Sequence, residues 1–408
     1  MRPGKLISPD EALRIVLRHA RPLAARRVAL AEAAGRWLAE DIRADRDQPP
    51  ADRSAMDGYA VIAADLKRPP AALRLVGEVA AGSAARMRVR TGTCAAILTG
   101  GNVPPGADTV VPIEQTHREG PDVVFSQAAP RGDNIRLRGE EARRGASLLA
   151  CGTRLGPAEI GVCAMAGACR PKVHRLPKVA VLVTGAEVRD VAQSVAAHQL
   201  RDSNGPALLA ALARNGFADA TRAIVPDDPA AIAAALKAAL RRADVAIVTG
   251  GVSVGTYDFV PEAIERIGGR LRFHGVRMKP GQPQLYATLG PARHIFGLPG
   301  NPVSVLTGFA ELALPALRRL AGAPKDACRP SIRLPLAEEA RSKGKRAYFA
   351  LARIVRMDSG PAVAMVRSAG SADIIAASRA DGVIVIPMGV KRIAAGEFVE
   401  FHAWRAPW

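Results

Sequence analysis

Four acidic residues recur in one setting, each just after an apolar, β-branched run. Glu187 follows VLVTG, Asp227 and Asp228 follow AIVP, and Asp258 follows VTGGVSVGTY. Glycines accompany them: Gly250 and Gly251 form a pair, and Gly300 precedes Asn301 in GLPGNP. Glycine permits a sharp turn and lets backbone amides approach a ligand that a Cβ would hold off. Ser253 and Thr256 share the loop of Asp258. Carboxylates gathered beside such turns repel an anion unless a divalent cation intervenes. With Mg²⁺ the acids hold the metal and the metal holds phosphate. Free amides at a helix beginning Asn301-Pro302 favour the same phosphate. These residues point to a phosphate-containing ligand with Mg²⁺, but they do not name the substrate.

Each acid also has a plainer reading. Asp228 before Pro229 fits a helix N-cap as well as a metal ligand, and the sequence does not separate the two. Glu187 fits an exposed surface carboxylate. Neither GxGxxG nor GxxxxGK[ST] occurs, which argues against a dinucleotide-dependent dehydrogenase and a P-loop kinase.

The elements that must place these residues follow a rhythm from Lys178 onward. VAVLVTG, a helix from Pro206 to Arg214, a strand to Val225, a helix from Pro229 to Arg241 and the strand Val245–Thr249 alternate as in a doubly wound α/β domain with a parallel sheet. Leu285–Leu289 and His294–Leu298 are its expected last strands, and a helix over 302–320, kinked near Pro315, closes it. Ligands in such sheets sit beyond the carboxyl ends of the strands, so the acids would share one edge.

Ahead of this, Ser8-Pro9-Asp10-Glu11 starts a helix over 9–18. Residues 27–31 and 36–44 alternate like strands around a short helical turn. From SAMDGYAV at 54–61, strand-like runs at 73–79, 95–98, 109–113 and 123–126 make a β-rich unit in which Asp57-Gly58 reads as a turn. Thr99-Gly100-Gly101 echoes the later Thr-Gly-Gly. The charges of NIRLRGEE at 134–141 read as a solvated loop rather than an anion clamp. After Pro324 and Pro330, a C-terminal region reads as a small all-β domain.

The chain has 408 residues, too many for one ordinary core, so two to four domains are expected. Five cysteines without a CxxC pair supply neither a disulfide framework nor zinc spacing. The net charge of +19 is scattered without aromatic interleaving and matches no nucleic-acid module. With no apolar run long enough to span a bilayer and no secretory signal, the expectation is a cytoplasmic protein without nucleic-acid or membrane partners.

SAMDGYAV, ILTGGNVPPGADTVV at 97–111, NIRLRGEE, VTGAE at 183–187, DSN at 202–204, PDDP at 226–229, TGGVSVGTYDF at 249–259, MKPG at 278–281 and GLPGNPVS at 297–304 stand in order over nearly the whole chain. In this the chain resembles the molybdopterin molybdenumtransferases, the family that includes the C-terminal part of gephyrin. The resemblance implies a homodimer of multidomain subunits, α/β plus β in fold class. Residues 1–44 and 146–176 would be two halves of a dimerisation domain. Residues 45–145 would form an inserted β-rich subdomain, 177–324 the molybdopterin-binding α/β domain, and 325–408 a C-terminal β domain. The cleft would lie between the α/β domain of one subunit and the inserted subdomain of the other. The implied reaction takes adenylylated molybdopterin and molybdate, inserts the metal and releases AMP. By position, Asp57 and Thr99 come from the inserted subdomain. Glu187, Asp227 and Asp258 serve Mg²⁺ and pyrophosphate, and Gly250, Gly251, Ser253, Gly300 and Asn301 line the pocket. Pro299 and Pro302 shape it, while Lys279 and Ser371 face molybdate.

Three positions depart from the family pattern, with Gly275, Gln282 and Leu351 standing where basic residues are usual. Lys279 remains, and Arg277 and Arg353 are candidates to replace the lost charge. These departures lead to an expectation of reduced or altered oxyanion affinity. Two other readings stay open: adenylyl transfer to molybdopterin, and a pterin carrier without turnover.

Overall fold

The computed structural model describes residues 6–83, 86–252 and 259–405. Ser253, Thr256 and Asp258 lie outside the described residues.

The α/β region forms one six-stranded sheet in the order Ala220–Val225, Val179–Thr184, Val245–Thr249, Arg293–Leu298, Leu285–Leu289, Arg270–His274. The first four strands are parallel and the last two join antiparallel. The sheet is therefore mixed rather than wholly parallel. A tight turn at Gly290 joins Leu285–Leu289 to Arg293–Leu298, and so short a connection can only build a hairpin. Every residue of Val179–Thr184 and Val245–Thr249 is buried, as expected for central strands covered on both faces. Val181, Val183 and Ile247 enter one core with Leu208 and Leu212, while Leu182 and Val248 enter another with Ile232 and Leu236.

Two of the helices start on the side-chain caps their sequence provides. Pro9–His19 is capped by Ser8, whose Oγ accepts the Glu11 amide at 3.1 Å. Pro229–Leu240 is capped by Asp228, whose Oδ1 accepts the Ala231 amide at 2.8 Å. Asn204–Arg214 starts without a side-chain bond from Ser203; instead Asp202 Oδ1 accepts from the Gly205 amide. The long helix runs as Pro302–Gly308, a π-helical turn Phe309–Ala313, and Leu314–Leu320. The widened turn directly precedes Pro315, which has no amide to donate to the preceding turn.

The expected strands at 27–31 and 36–44 are mostly absent. Ala25–Arg27 pairs with Lys172–His174, Ile42–Arg43 pairs with the bulged run Ser147–Leu149, and Leu30–Ala33 is a helical turn. Alternation among small alanines is a weak strand signal, and the pairing partners lie far along the chain. Between these pairings a second six-stranded sheet, built from Gly58–Val61, Ala71–Val79, Thr93–Ile97, Thr109–Pro112, Thr116–Glu119 and Asp122–Phe125, encloses its own core around Tyr59, Leu73 and Phe125.

The C-terminal region is β with one short helix, Ile374–Ser378, rather than all-β. Its sheet accepts a strand from outside. Met278–Lys279 leaves the α/β region and pairs in parallel with Ala347–Met357, setting Lys279 opposite Tyr348. No helix among the described residues is long and apolar enough to cross a membrane.

Candidate functional site

The carboxyl ends of the parallel strands open onto a cavity of about 580 Å³. Glu187, Asp227, Gly250, Gly251, Gly300 and Asn301 all line it, and Pro302 and Asn204 stand at its wall. Three carboxylates line it, Glu187, Asp202 and Asp227; Asp202 is committed to the Gly205 amide and to Arg222, which leaves Glu187 and Asp227, from separate turns, on one edge. Thr184, at the end of its strand, fixes one of them by donating its hydroxyl to Asp227 Oδ1 at 3.1 Å.

The glycines are required by space. A Cβ on Gly250 would stand 2.3 Å from the Thr184 carbonyl oxygen, and Gly250 already has a φ of +90°. At Gly251, with φ +58°, a Cβ would come within 3.4 Å of Asp227 Oδ1. A Cβ on Gly185 would reach both Glu187 carboxylate oxygens at 3.0 and 3.1 Å. Both acids therefore rest against bare backbone. Asn204 Nδ2 donates to the Gly300 carbonyl at 2.7 Å, while its Oδ1 is buried with no hydrogen-bond partner. Asp228 does not line this cavity, and one of its oxygens is committed to the helix cap.

A second cavity, of about 460 Å³, lies at the seam with the C-terminal region. Lys279, Gln282, Pro299, Asn301, Ser304, Arg346, Tyr348, Leu351 and Ser371 are among its lining residues. Lys279 Nζ sits 4.8 Å from the centre of the Tyr348 ring, a cation–π contact that holds the ammonium at the wall. Burial pushes the Tyr348 phenol above its ordinary pKa, so the ring stays neutral. Arg346 Nη1 donates to Gln282 Oε1 at 2.7 Å, so the glutamine anchors a guanidinium. Asn301 lines both cavities and donates from Nδ2 to Ser371 Oγ at 2.9 Å. The Val303 amide donates to the Ser371 carbonyl at 2.9 Å.

Arg277 and Arg353 are not among the cavity's lining residues. Arg277 Nε donates to the Leu6 carbonyl at 3.0 Å, which commits its guanidinium to the N-terminal segment. The cation facing this cavity beside Lys279 is Arg346. Its neighbours in sequence, Lys343 and Lys345, give it no distinguishing signal, and sequence reasoning missed it.

Asp57 and Thr99 meet each other in the inserted region. The Thr99 hydroxyl donates to Asp57 Oδ1 at 2.7 Å and the Thr99 amide at 2.6 Å. These two bonds hold the Asp57 carboxyl below the usual range. Neither residue lines either cavity within the chain. In NIRLRGEE the charges pair locally, Arg136 with Glu141 at 3.2 Å and Arg138 with Asp47 at 2.6 Å.

The oxygen donors suit a hard cation. Mg²⁺ commonly takes one or two carboxylates, leaving its other positions to water and substrate phosphate. Glu187 and Asp227 supply that number, and no group of three or more His, Cys, Asp or Glu side chains placed to hold a metal ion by themselves occurs among the described residues.

Comparison with known proteins agrees along the whole chain. The MoeA N-terminal region (domain I and II) matches residues 7–167, a probable molybdopterin binding domain matches 180–319, and the MoeA C-terminal region (domain IV) matches 333–404. A molybdopterin molybdenumtransferase of Nostoc sp. is 34% identical over 375 residues, covering 90% of this chain and 85% of that protein. One from Staphylococcus aureus is 30% identical over 398 residues, covering 97% and 94%. The crystal structure of a molybdopterin biosynthesis MoeA protein from Pyrococcus horikoshii superposes with a TM-score of 0.83 at 28% identity, over 98% of this chain and 100% of that one. With three successive regions matched in order and relatives aligned over nearly their full length, the chain belongs to the molybdopterin molybdenumtransferase family.

Proposed function

We propose that this protein inserts molybdenum into adenylylated molybdopterin, taking molybdate as the metal source and releasing AMP. The observation that carries the reading is the pair of cavities meeting at Asn301, one walled by carboxylates and glycine backbone, the other by Lys279 and Arg346. The first suits a metal-bridged phosphoanhydride and the second suits a dianion. A pterin lying across Asn301 would then carry its dithiolene from one to the other.

Glu187 and Asp227 would hold Mg²⁺, together with Asp258. When bound, the cation would neutralise the phosphoanhydride oxygens and stabilise the charge that develops on the leaving AMP phosphate. Gly250 and Gly251 let the backbone approach that phosphate, and Thr184 fixes the angle of Asp227. Asn204 Oδ1 offers an acceptor to a ligand donor or a bound water. On the other side, the Lys279 ammonium and the Arg346 guanidinium offset the two charges of molybdate, and the Asn301–Ser371 bond sets a hydroxyl beside it. Ser253 would add a loop hydroxyl, and Pro299 and Pro302 stiffen the wall between the two sides.

Asp57 and Thr99 enter this reading only through a second copy, as a homodimer that closes the cleft with the inserted region of its partner. Incubation of the purified protein with adenylylated molybdopterin, Mg²⁺ and molybdate should release AMP stoichiometrically with cofactor formed. Pterin binding without AMP release would overturn the proposal in favour of a carrier.

A further inference from the structure

A third cavity, of about 240 Å³, lies where the N-terminal region meets the end of the long helix, and shares no lining residue with the two described above. Three arginines are among its lining residues, Arg36, Arg154 and Arg318. All their hydrogen-bond partners are neutral. Arg154 Nε donates to the Gly35 carbonyl at 3.3 Å, and Arg318 donates to the Cys328 carbonyl and to Asn215 Oδ1, both at 3.1 Å. Arg36 Nη1 is buried and has no partner at all.

Glu32 is the one carboxylate at this wall; it attracts Arg36 through space without forming an ion pair with any of the three arginines. Burial, with Arg26 nearby, holds Arg36 below the ordinary arginine pKa. Burial, with Arg154 nearby, does the same to Arg318. Removing like charges from water costs free energy unless a counter-charge comes with them. Asp244 supplies such a counter-charge to Arg175 and Arg293. Here the three guanidiniums have only Glu32, one carboxylate acting on Arg36 through space, to set against them.

We infer that this cavity is a second anion site, distinct from the molybdenum chemistry, for a phosphate-class dianion. Guanidinium forks match tetrahedral oxyanions in geometry as well as charge. The volume is below the roughly 300–1,000 Å³ of pockets for drug-sized ligands, so the anionic group enters alone or as the end of a larger molecule. That group has two sources, free phosphate and the phosphate of a nucleotide monophosphate, and the inference does not depend on the reaction proposed above.

Calorimetric titration of the full-length protein with inorganic phosphate, and separately with AMP, tests it. Saturable phosphate binding is expected at one site per chain, weakened about tenfold or more in Arg36→Gln and in Arg154→Gln and retained in Arg346→Gln. Arg154 is exposed, so its variant keeps the fold and guards against a trivial loss at Arg36. Tighter binding of AMP than of phosphate, lost in the same variants, assigns the site to a nucleotide; equal binding assigns it to the free ion. Absence of saturable binding, or binding abolished only by Arg346→Gln, overturns the inference. So does an Arg36→Gln protein that dissociates into monomers and leaves phosphate binding unchanged, since the anion would then be a carboxylate of a second copy.

Discussion

The two cavities that meet at Asn301 are built in opposite ways. The acidic one comes almost entirely from a single sheet edge, with its donors on the turns after parallel strands. The cationic one is assembled across a seam. Lys279 arrives on a strand that crosses into the C-terminal sheet, and Arg346 and Ser371 belong to that sheet's own region. One site inherits its geometry from strand register; the other depends on how two regions pack. The acidic cavity should therefore tolerate changes at the seam, and the cationic one should not.

The largest expected effect tests the division directly. Asp227→Asn removes a charge at the metal side and leaves the seam alone. AMP release should fall on the order of 10²–10³-fold, the usual loss for one preorganised electrostatic partner. Molybdate binding, followed by titration, should change less than twofold. An equal loss of both would mean the two cavities act as one unit, and the comparison would fail.

The next concerns the seam itself. His402, on the C-terminal sheet, is clamped between Glu311 of the π-helical turn, at 2.7 Å, and Glu400, at 3.0 Å, with Arg329 on the other oxygen of Glu311 at 3.2 Å. Burial alone would lower the imidazole pKa, but the bonds to Glu311 and Glu400 outweigh it and raise it to about 9. That folded value lies above the ordinary 6.5. The clamp therefore contributes fully below pH 6.5 and is lost as pH rises through 9. Melting curves should show a decline over that window worth roughly 2–3 kcal/mol, and His402→Gln should flatten it. Glu400, held down to about 2 chiefly by its bond to His402, adds a separate loss as pH falls from 4.5 through that value.

A smaller effect belongs to Arg346. Arg346→Gln should weaken molybdate binding roughly 10–100-fold, the cost of one charged hydrogen-bond partner, with little change in Mg²⁺ dependence. Adding Gln282→Lys to that variant should recover most of the loss, because the new ammonium occupies the position from which Gln282 now holds the guanidinium. No recovery would mean that the shape of the Arg346 fork, rather than its charge, is what the cavity uses.

The same division explains how much could be read from the chain. The placement of Glu187 and Asp227 at strand ends was legible because an apolar β-branched run followed by glycine or proline announces a strand end, and neighbouring parallel strands end on the same edge. Arg346 was not legible. Its partner Gln282 is 64 residues away, and what joins them is a two-residue strand added across the seam, which leaves no periodic trace. Arg277 was a reasonable candidate by proximity, yet its guanidinium is engaged by the Leu6 carbonyl, 271 positions earlier in the chain. In the α/β sheet, Arg270–His274 escaped notice because an edge strand mixing arginine, phenylalanine and histidine shows neither a buried run nor clean alternation. The widened turn at Phe309–Ala313 was foreshadowed by Pro315, since a missing amide disturbs a helix wherever it falls.

The smallest effect is the sharpest test, because it separates two adjacent acids of one type. Asp227 and Asp228 follow the same strand, but only the first faces the cavity, while the second spends an oxygen on the Ala231 amide. Asparagine caps a helix about as well as aspartate does. Asp228→Asn should therefore leave both the melting temperature and AMP release near wild type. Asp228→Ala should cost about 1 kcal/mol of stability through the lost cap, with AMP release unchanged once folding is allowed for. Measured beside Asp227→Asn, the pair asks whether the metal side is read by individual side chains or by a pool of negative charge along the strand ends. If Asp228→Asn slows AMP release as much as Asp227→Asn does, the pool is the better description and register no longer defines the site.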